Sequence, residues 1–340
     1  MSFGDSVAVE FMTGAGAAII DCCLFHSIDT LKVRKQDGRP LLPWGRLQSA
    51  PAIKGPTIIL ASLYQGFSTN LFLKVPYMAT MFGFHALNKS LLDVMWGDGT
   101  AHGEGGALRE FSSAFLVGIE ASLLLSPLEL VRIQGQNRGK GEIVAATRYT
   151  LSKIGIRGLL TTGMHACMQR EAKYCVGQFA LIGAVSSAIA DWAAASRRLP
   201  ATPPTTPSAT ATAHGASTQA STSAPLAEIA ALLDESRDLR TLVSSICVGF
   251  LCTLVSHPDD VVKTRQQTRI TGGGEASSRR CYDGGYLSSL RHIAMSEGTG
   301  ALWRGAFWRC CVRVPLGLSV INIVHPRLRP FVEDLFVVST

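Results

Sequence analysis

Six stretches of the chain are apolar enough to form long helices. They run near 7–36, 68–96, 109–138, 162–192, 238–268 and 304–336. Between the members of each successive pair lies a polar stretch with a short amphipathic helix candidate, near 50–63, 141–154 and 284–296. None of the long stretches is a clean uncharged run of about 20 residues, the length of one membrane crossing. Asp21, Lys74, Glu120, Arg170 and Arg313 all fall inside them. An isolated helix facing lipid does not tolerate such charges, whereas a helix lining a water-filled cavity does. The pattern predicts membrane-length helices gathered around a polar interior.

The first, third and fifth stretches end alike. Residues 27–36 read S-I-D-T-L-K-V-R-K-Q, residues 127–136 read P-L-E-L-V-R-I-Q-G-Q, and residues 258–267 read P-D-D-V-V-K-T-R-Q-Q. Each copy has an acid, a base three residues later and a glutamine seven later. They are Asp29, Lys32 and Gln36, then Glu129, Arg132 and Gln136, then Asp260, Lys263 and Gln267. The acids are 100 and 131 residues apart, and the excess has a visible source. Residues 196–225 are almost wholly Pro, Ser, Thr and Ala, too poor in bulky apolar side chains to offset their ordering entropy. Set aside as a disordered insertion, they leave three copies of one unit: 1–105, 106–195 and 226–340.

A second pattern runs in register with the first. Small residues recur at intervals of four: Gly14, Ala18 and Cys22; Ala114, Gly118 and Ser122; Ser245, Gly249 and Thr253. That spacing puts each triplet on one helix face, where small side chains let helix backbones approach closely. Pro127 and Pro258 are expected to kink or break their helices. Ser27 stands at that position in the first repeat and is expected to bend it less.

Composition agrees with this picture. Of 340 residues, 47% are hydrophobic and 17% charged, against about a quarter charged in an average soluble domain. The net charge of +7 suits an anionic bilayer surface or an anionic cargo. The nine cysteines show no metal-ligand spacing and read as small buried hydrophobes. The first residues carry neither a basic n-region nor an Arg-rich amphipathic pattern, so targeting information is expected to be internal.

An acid and a base at i and i+3 share a helix face. With three such helices around a pseudo-threefold axis, the acid of one can meet the base of the next. The resulting ring of three ion pairs closes one end of the cavity, and each glutamine, one turn on, can hydrogen-bond across a pair. A single copy would read as an ordinary helix-surface ion pair. Paired charges gain Coulomb attraction but lose hydration, so the balance is small and a ligand can tip it.

With these motifs the chain resembles the mitochondrial carrier family, whose signature is a proline, an acid two residues on and a base three further, repeated three times. It stands intact at Pro127-Glu129-Arg132 and Pro258-Asp260-Lys263, and lacks only the proline at Ser27-Asp29-Lys32. The resemblance implies an all-α membrane protein: six transmembrane helices in three pseudo-threefold repeats, with short amphipathic helices on the matrix side. It implies the mitochondrial inner membrane, both termini in the intermembrane space, and a matrix gate at Asp29, Lys32, Glu129, Arg132, Asp260 and Lys263. Gln36, Gln136 and Gln267 would brace that gate. Glu297-Gly298 followed by Trp303-Arg304-Gly305 resembles a further family segment, and Tyr64-Gln65-Gly66 is a partial copy. There, and at Tyr282-Asp283-Gly284, helix N-termini would hold cardiolipin phosphates, giving Gly66, Arg304, Gly305, Tyr282 and Gly284 as lipid-binding candidates. A glycine-containing turn before a helix explains the same residues equally well.

The chain departs from the family at the opposite end. Where the even helices usually carry a second ring of acids and bases, the matching stretch His85-Ala86-Leu87-Asn88-Lys89 has a base but no acid. The sixth stretch offers His325, Arg327 and Arg329, again without an acid. Closure there is expected to be weak, or to use apolar and histidine contacts.

Lys74, Arg170 and Arg313 are the candidate cargo-binding bases, with Glu171 beside Arg170. An arginine followed by an acid resembles family members that carry amino acids; a basic trio resembles carriers of di- and tricarboxylates or oxoacids. The Lys74–Pro76 and Arg313–Pro315 spacings are one residue tighter than the common family pattern, which is about 100° of helix rotation. The arginine-methionine run typical of ADP/ATP exchange is missing, and no nucleophile-plus-base set or phosphate-binding glycine loop points to an enzyme. A monomer without cofactor, metal or nucleic-acid partner is expected. It would be either a metabolite carrier or a carrier-fold adaptor that has lost transport.

Overall fold

The computed structural model describes residues 3–36, 55–64, 67–96, 104–137, 143–198, 228–229, 231–233, 235–268 and 285–338. Among them there is no strand. The long helices are α1 (Phe3–Gln36), α3 (Phe67–Trp96), α4 (Glu104–Asn137), α6 (Met164–Cys175) running on through a π turn into α7 (Ile182–Arg198), α8 (Arg237–Thr268) and α10 (Val314–Val338). Shorter helices lie between the long ones: α2 (Gly55–Leu63), α5 (Ile143–Thr161) and α9 (Tyr286–Ser296). Of the 196–225 insertion, only the first three residues, which end α7, lie among the described residues.

The long helices close into a ring. α1 packs on α3, α3 on α4, α4 on α6, α6 on α8, α8 on α10, and α10 returns to α1. The ring is polar inside and apolar outside, the reverse of a water-soluble bundle. Thr13, Asp21, Ser122, Ser126, Ser245 and Thr253 are buried, while Leu24, Phe115, Leu123, Leu124, Leu251 and Val255 are exposed. An apolar surface of this extent needs lipid to cover it. Among the described residues, five helical spans are long and apolar enough to cross a membrane: Gly4–Leu31, Gly105–Val131, Met164–Ser196, Arg237–Gln267 and Thr299–Phe336. α3 falls short because Asn70, Lys74, His85, Asn88 and Lys89 interrupt it.

The small-residue stripes are where the helices of a pair touch. All nine of their members are buried. A Cβ on Gly14 would come within 2.9 Å of the Met78 carbonyl in α3. On Gly118 it would lie 2.4 Å from the Ala172 Cα in α6, and on Gly249 3.0 Å from the Pro315 Cα at the start of α10. Each odd helix is thus set against the even helix that follows it, at the same register in the second and third pairs and one turn earlier, at Gly14, in the first.

Neither motif proline breaks its helix. Pro127 and Pro258 lie inside α4 and α8 without ending them; both helices continue past the charged motif. The irregularities sit elsewhere, in π turns at Val176–Leu181 and at Trp308–Arg313. A π turn accommodates an extra residue and re-registers the helix that follows.

Candidate functional site

Inside the ring lies a cavity of about 340 Å³, in the range that holds a small metabolite. α1 contributes Asp21 and Asp29, α3 contributes Asn70, Lys74 and Tyr77, and α4 contributes Glu129. Arg170, Glu171 and Tyr174 come from α6, and Arg309 and Arg313 from the π turn before α10.

At one end the repeated motif closes the cavity. Lys263 on α8 is bonded to Glu129 on α4, so the acid of the second repeat meets the base of the third. The other two acids are held by bases from outside the motif. Asp29 accepts from Arg313 Nε at 2.7 Å. Asp260 accepts from Arg170 at 3.0 Å and lies 3.3 Å from Arg309. The side chains of Lys32, Arg132, Gln36 and Gln136 lie outside the described residues. Gln267 is fully buried beside Gly163, and its amide finds no hydrogen-bond partner among the described residues. Gln134, two residues before the motif glutamine, donates to the Gln267 carbonyl at 2.5 Å.

All four proposed cargo residues line the cavity, at two levels. Arg170 does not stand free at mid-depth. Its guanidinium spans Glu129 at 3.2 Å and Asp260 at 3.0 Å and also bonds Glu171, which accepts from the Tyr77 hydroxyl. Lys74 and Arg313 converge on Asp21, a residue that the sequence marked only as a charge in an apolar stretch. Lys74 bonds it, and Arg313 Nη2 donates to it at 3.0 Å. The tight Arg313–Pro315 spacing does not turn Arg313 away. Arg313 ends the π turn, whose extra residue absorbs the rotation. Tyr77 and Arg309 carried no signal of their own in the sequence; Asp21 did, as an intramembrane acid.

The opposite end closes differently. The His85 ring of α3 stacks on Phe179 with centroids 4.1 Å apart, and Phe82 of α3 stacks on His325 of α10, also at 4.1 Å. Phe82 meets Phe179 edge-to-face at 5.2 Å, so one aromatic layer links all three even helices. Ion pairs back it from the odd helices. Glu10 lies 3.0 Å from His325 and 3.3 Å from Arg329, and Glu110 binds His85 at 3.1 Å and also Lys89. The missing even-helix acids are thus supplied by α1 and α4.

Arg304 is largely exposed and Gly305 adopts a positive φ of 85° at the turn leading to the last helix. Gly66, Tyr282 and Gly284 lie outside the described residues. Beyond the spans, Glu297 accepts from Arg265 at 2.7 Å, and this hydrogen bond holds its carboxyl below the ordinary value.

A ring of helices with an apolar exterior, a charged cavity and a closure at each end defines a membrane carrier for small solutes. The comparisons carry this further. The family model for mitochondrial carrier proteins matches residues 234–319. Mitochondrial substrate carrier family protein X of Dictyostelium discoideum is 23% identical over 92% of this chain and 88% of its own length. S-adenosylmethionine carrier 1, chloroplastic/mitochondrial, of Arabidopsis thaliana is 26% identical over 50% of this chain and 46% of its own. Mitochondrial thiamine pyrophosphate carrier 1 of Pyricularia oryzae is 34% identical over 23% of this chain and 26% of its own. Residues 234–319 match the mitochondrial carrier family, and the likeness to these relatives supports membership of the chain in it. These likenesses, with the apolar helices, support a multi-pass mitochondrial membrane protein that carries a solute.

Proposed function

We propose that the protein sits in the mitochondrial inner membrane and imports or exchanges a small anionic or zwitterionic metabolite by alternating access. The range runs from di- and tricarboxylates and oxoacids to amino acids. The observation that carries this reading is a charged cavity of metabolite size with chemically different closures at its two ends. In this reading α3 is the sixth span, and the three repeats move around the cavity. Asp29, Lys32, Glu129, Arg132, Asp260 and Lys263 form the matrix gate, with Gln36, Gln136 and Gln267 packed behind it. The aromatic layer closes the intermembrane-space side, where both termini lie. Lys74, Arg170, Glu171 and Arg313 meet the cargo. Arg304 and Gly305, with Gly66, Tyr282 and Gly284, hold lipid phosphates such as those of cardiolipin, and the monomer is the working unit.

A gate of ion pairs suits this role because its net worth is small: exposed pairs give about 0–1 kcal/mol, and buried ones lose much of their attraction to desolvation. Cargo binding then need supply only a few kcal/mol of differential energy to shift the equilibrium.

The test is uptake into proteoliposomes of labelled carboxylates, oxoacids and amino acids. S-adenosylmethionine and thiamine pyrophosphate join the panel because relatives are named for them. Thermal stabilisation of the purified protein by the same compounds is the second readout. Saturable uptake supports the carrier reading. Folded protein that moves none of the panel and is stabilised by none supports the adaptor instead.

A further inference from the structure

On the carrier reading above, we propose that the Asp21–Arg313 ion pair marks the cargo position, and that the cargo carries one carboxylate and one cationic group, which replace that pair charge for charge.

Asp21 breaks the symmetry of the repeats. Six residues before the Ser27, Pro127 and Pro258 positions stand Asp21, Ala121 and Cys252, so only the first repeat puts a charge there. Gate residues repeat because all three helices do the same task. A charge present once, inside the cavity, does something the symmetry does not require.

The surroundings of Asp21 are built for it. Its side chain is wholly buried, and the two even helices that flank α1 each send one base to it, Lys74 from α3 and Arg313 from the π turn before α10. Space for this meeting is made by Gly317, one turn after Arg313. A Cβ there would lie 2.4 Å from Arg313 Nη1 and 3.1 Å from Asp21 Oδ1.

Charge balance then selects the cargo. Among the described residues that line the cavity are four carboxylates and four bases. A dicarboxylate at Asp21 would set two further carboxylates beside a buried acid that already shares Lys74 and Arg313, and burying unpaired charge is strongly unfavourable. A molecule with one carboxylate and one cation leaves the charge at this pair unchanged. Its carboxylate takes Arg313 and Lys74, where a guanidinium can hold it by two parallel hydrogen bonds, and its cation takes Asp21. Arg313 also holds Asp29 of the gate at 2.7 Å, so cargo that captures Arg313 loosens a gate acid in the same step.

The experiment compares uptake of labelled serine, alanine, malate and citrate into proteoliposomes by the wild-type chain, Asp21→Asn and Gly317→Ala. Gly317→Ala displaces the end of a flexible arginine rather than backbone, so it tests the site without relying on loss of the acid. The wild type should take up serine or alanine at least about tenfold faster than malate or citrate. Both variants should lose that preference, and Asp21→Asn, with one negative charge fewer, should gain malate uptake. Faster malate or citrate uptake by the wild type overturns the proposal, as does an unchanged preference in both variants. If neither these probes nor the rest of the panel above enters or stabilises the wild type, the carrier reading falls and takes this proposal with it. Uptake of carboxylates alone would leave that reading standing and remove only the cargo assignment.

Discussion

Lys263 and Glu129 form their ion pair with unequal exposure: the lysine side chain is 3% exposed and the glutamate 31%. The base is locked inside α8's packing while the acid still faces the cavity, so the acid is the half of the pair that cargo and water can reach. Breaking a buried pair by removing one partner costs about 3–5 kcal/mol. Glu129→Lys puts a second cation beside Lys263 and within reach of Arg170. Uptake should fall to background, and Glu129→Lys combined with Lys263→Glu should recover a measurable part of it. Full activity of the single variant would remove the pair from the gate.

The glycine at the α4–α6 contact makes a sharper structural prediction. A Cβ on Gly118 would meet Ala172 backbone at 2.4 Å, and backbone cannot rotate away. Gly118→Val should destabilise by about 1–3 kcal/mol or more, as overpacking does, and lower Tm in detergent. Gly183→Ala in α7 is the control. Nothing lies within 4 Å of its Cβ position, and alanine should gain about 0.5–1 kcal/mol in a helix interior.

Phe82 is the middle ring of the aromatic layer, stacked on His325 and edge-on to Phe179. Truncating a buried aromatic to alanine costs about 3–5 kcal/mol. Phe82→Ala should therefore weaken closure at that end. Preloaded label should leak from proteoliposomes in the absence of external cargo, while the wild type retains it.

Arg170 reaches Glu129, Asp260 and Glu171 with one planar fork. A lysine keeps the charge but cannot hold two carboxylates in that geometry. Arg170→Lys should lower uptake by about 10-fold or more, since two charge-assisted hydrogen bonds are worth about 1.5–3 kcal/mol each. Glu171→Gln removes the negative charge and one of the two acceptor oxygens that serve Arg170 and Tyr77, and should impair transport of a cargo with a cationic group more than that of a carboxylate. Equal effects on both cargo types would place Glu171 in the gate alone.

Much of this architecture was legible in the chain because three copies of one unit repeat the same information. The acid and base of Glu129 and Lys263, and the small-residue faces that carry Gly14, Gly118 and Gly249, follow from spacing on a regular helix. Partner choice does not. Asp29 and Asp260 are met by arginines from the even stretches, because the reach of a guanidinium across a cavity depends on helix rotation that no local pattern encodes. The π turn ending at Arg313 is the clearest case. Counting along an ideal helix casts doubt on Arg313, whereas one wide turn carries it to Asp21. The aromatic layer was equally hidden, since Phe82, Phe179 and His325 come from three different repeats and have no shared motif.

The wide turn at Trp308–Arg313 means that the last helix contains one residue more than a regular path would need. The wide turn takes up that residue and so keeps the same side of α10 facing inward. Removing one residue between 308 and 312 would let the turn close to a regular one and leave α10 facing as it does, whereas a residue inserted just before Val314, outside the wide turn, would rotate the 25 residues of α10 by about 100°. Gly317, Leu318, Ile321 and His325 would leave the interior together, and the Asp21 site and the aromatic layer would be lost in a single step. A substitution scan of the same turn would miss this, because every substituted chain keeps the count.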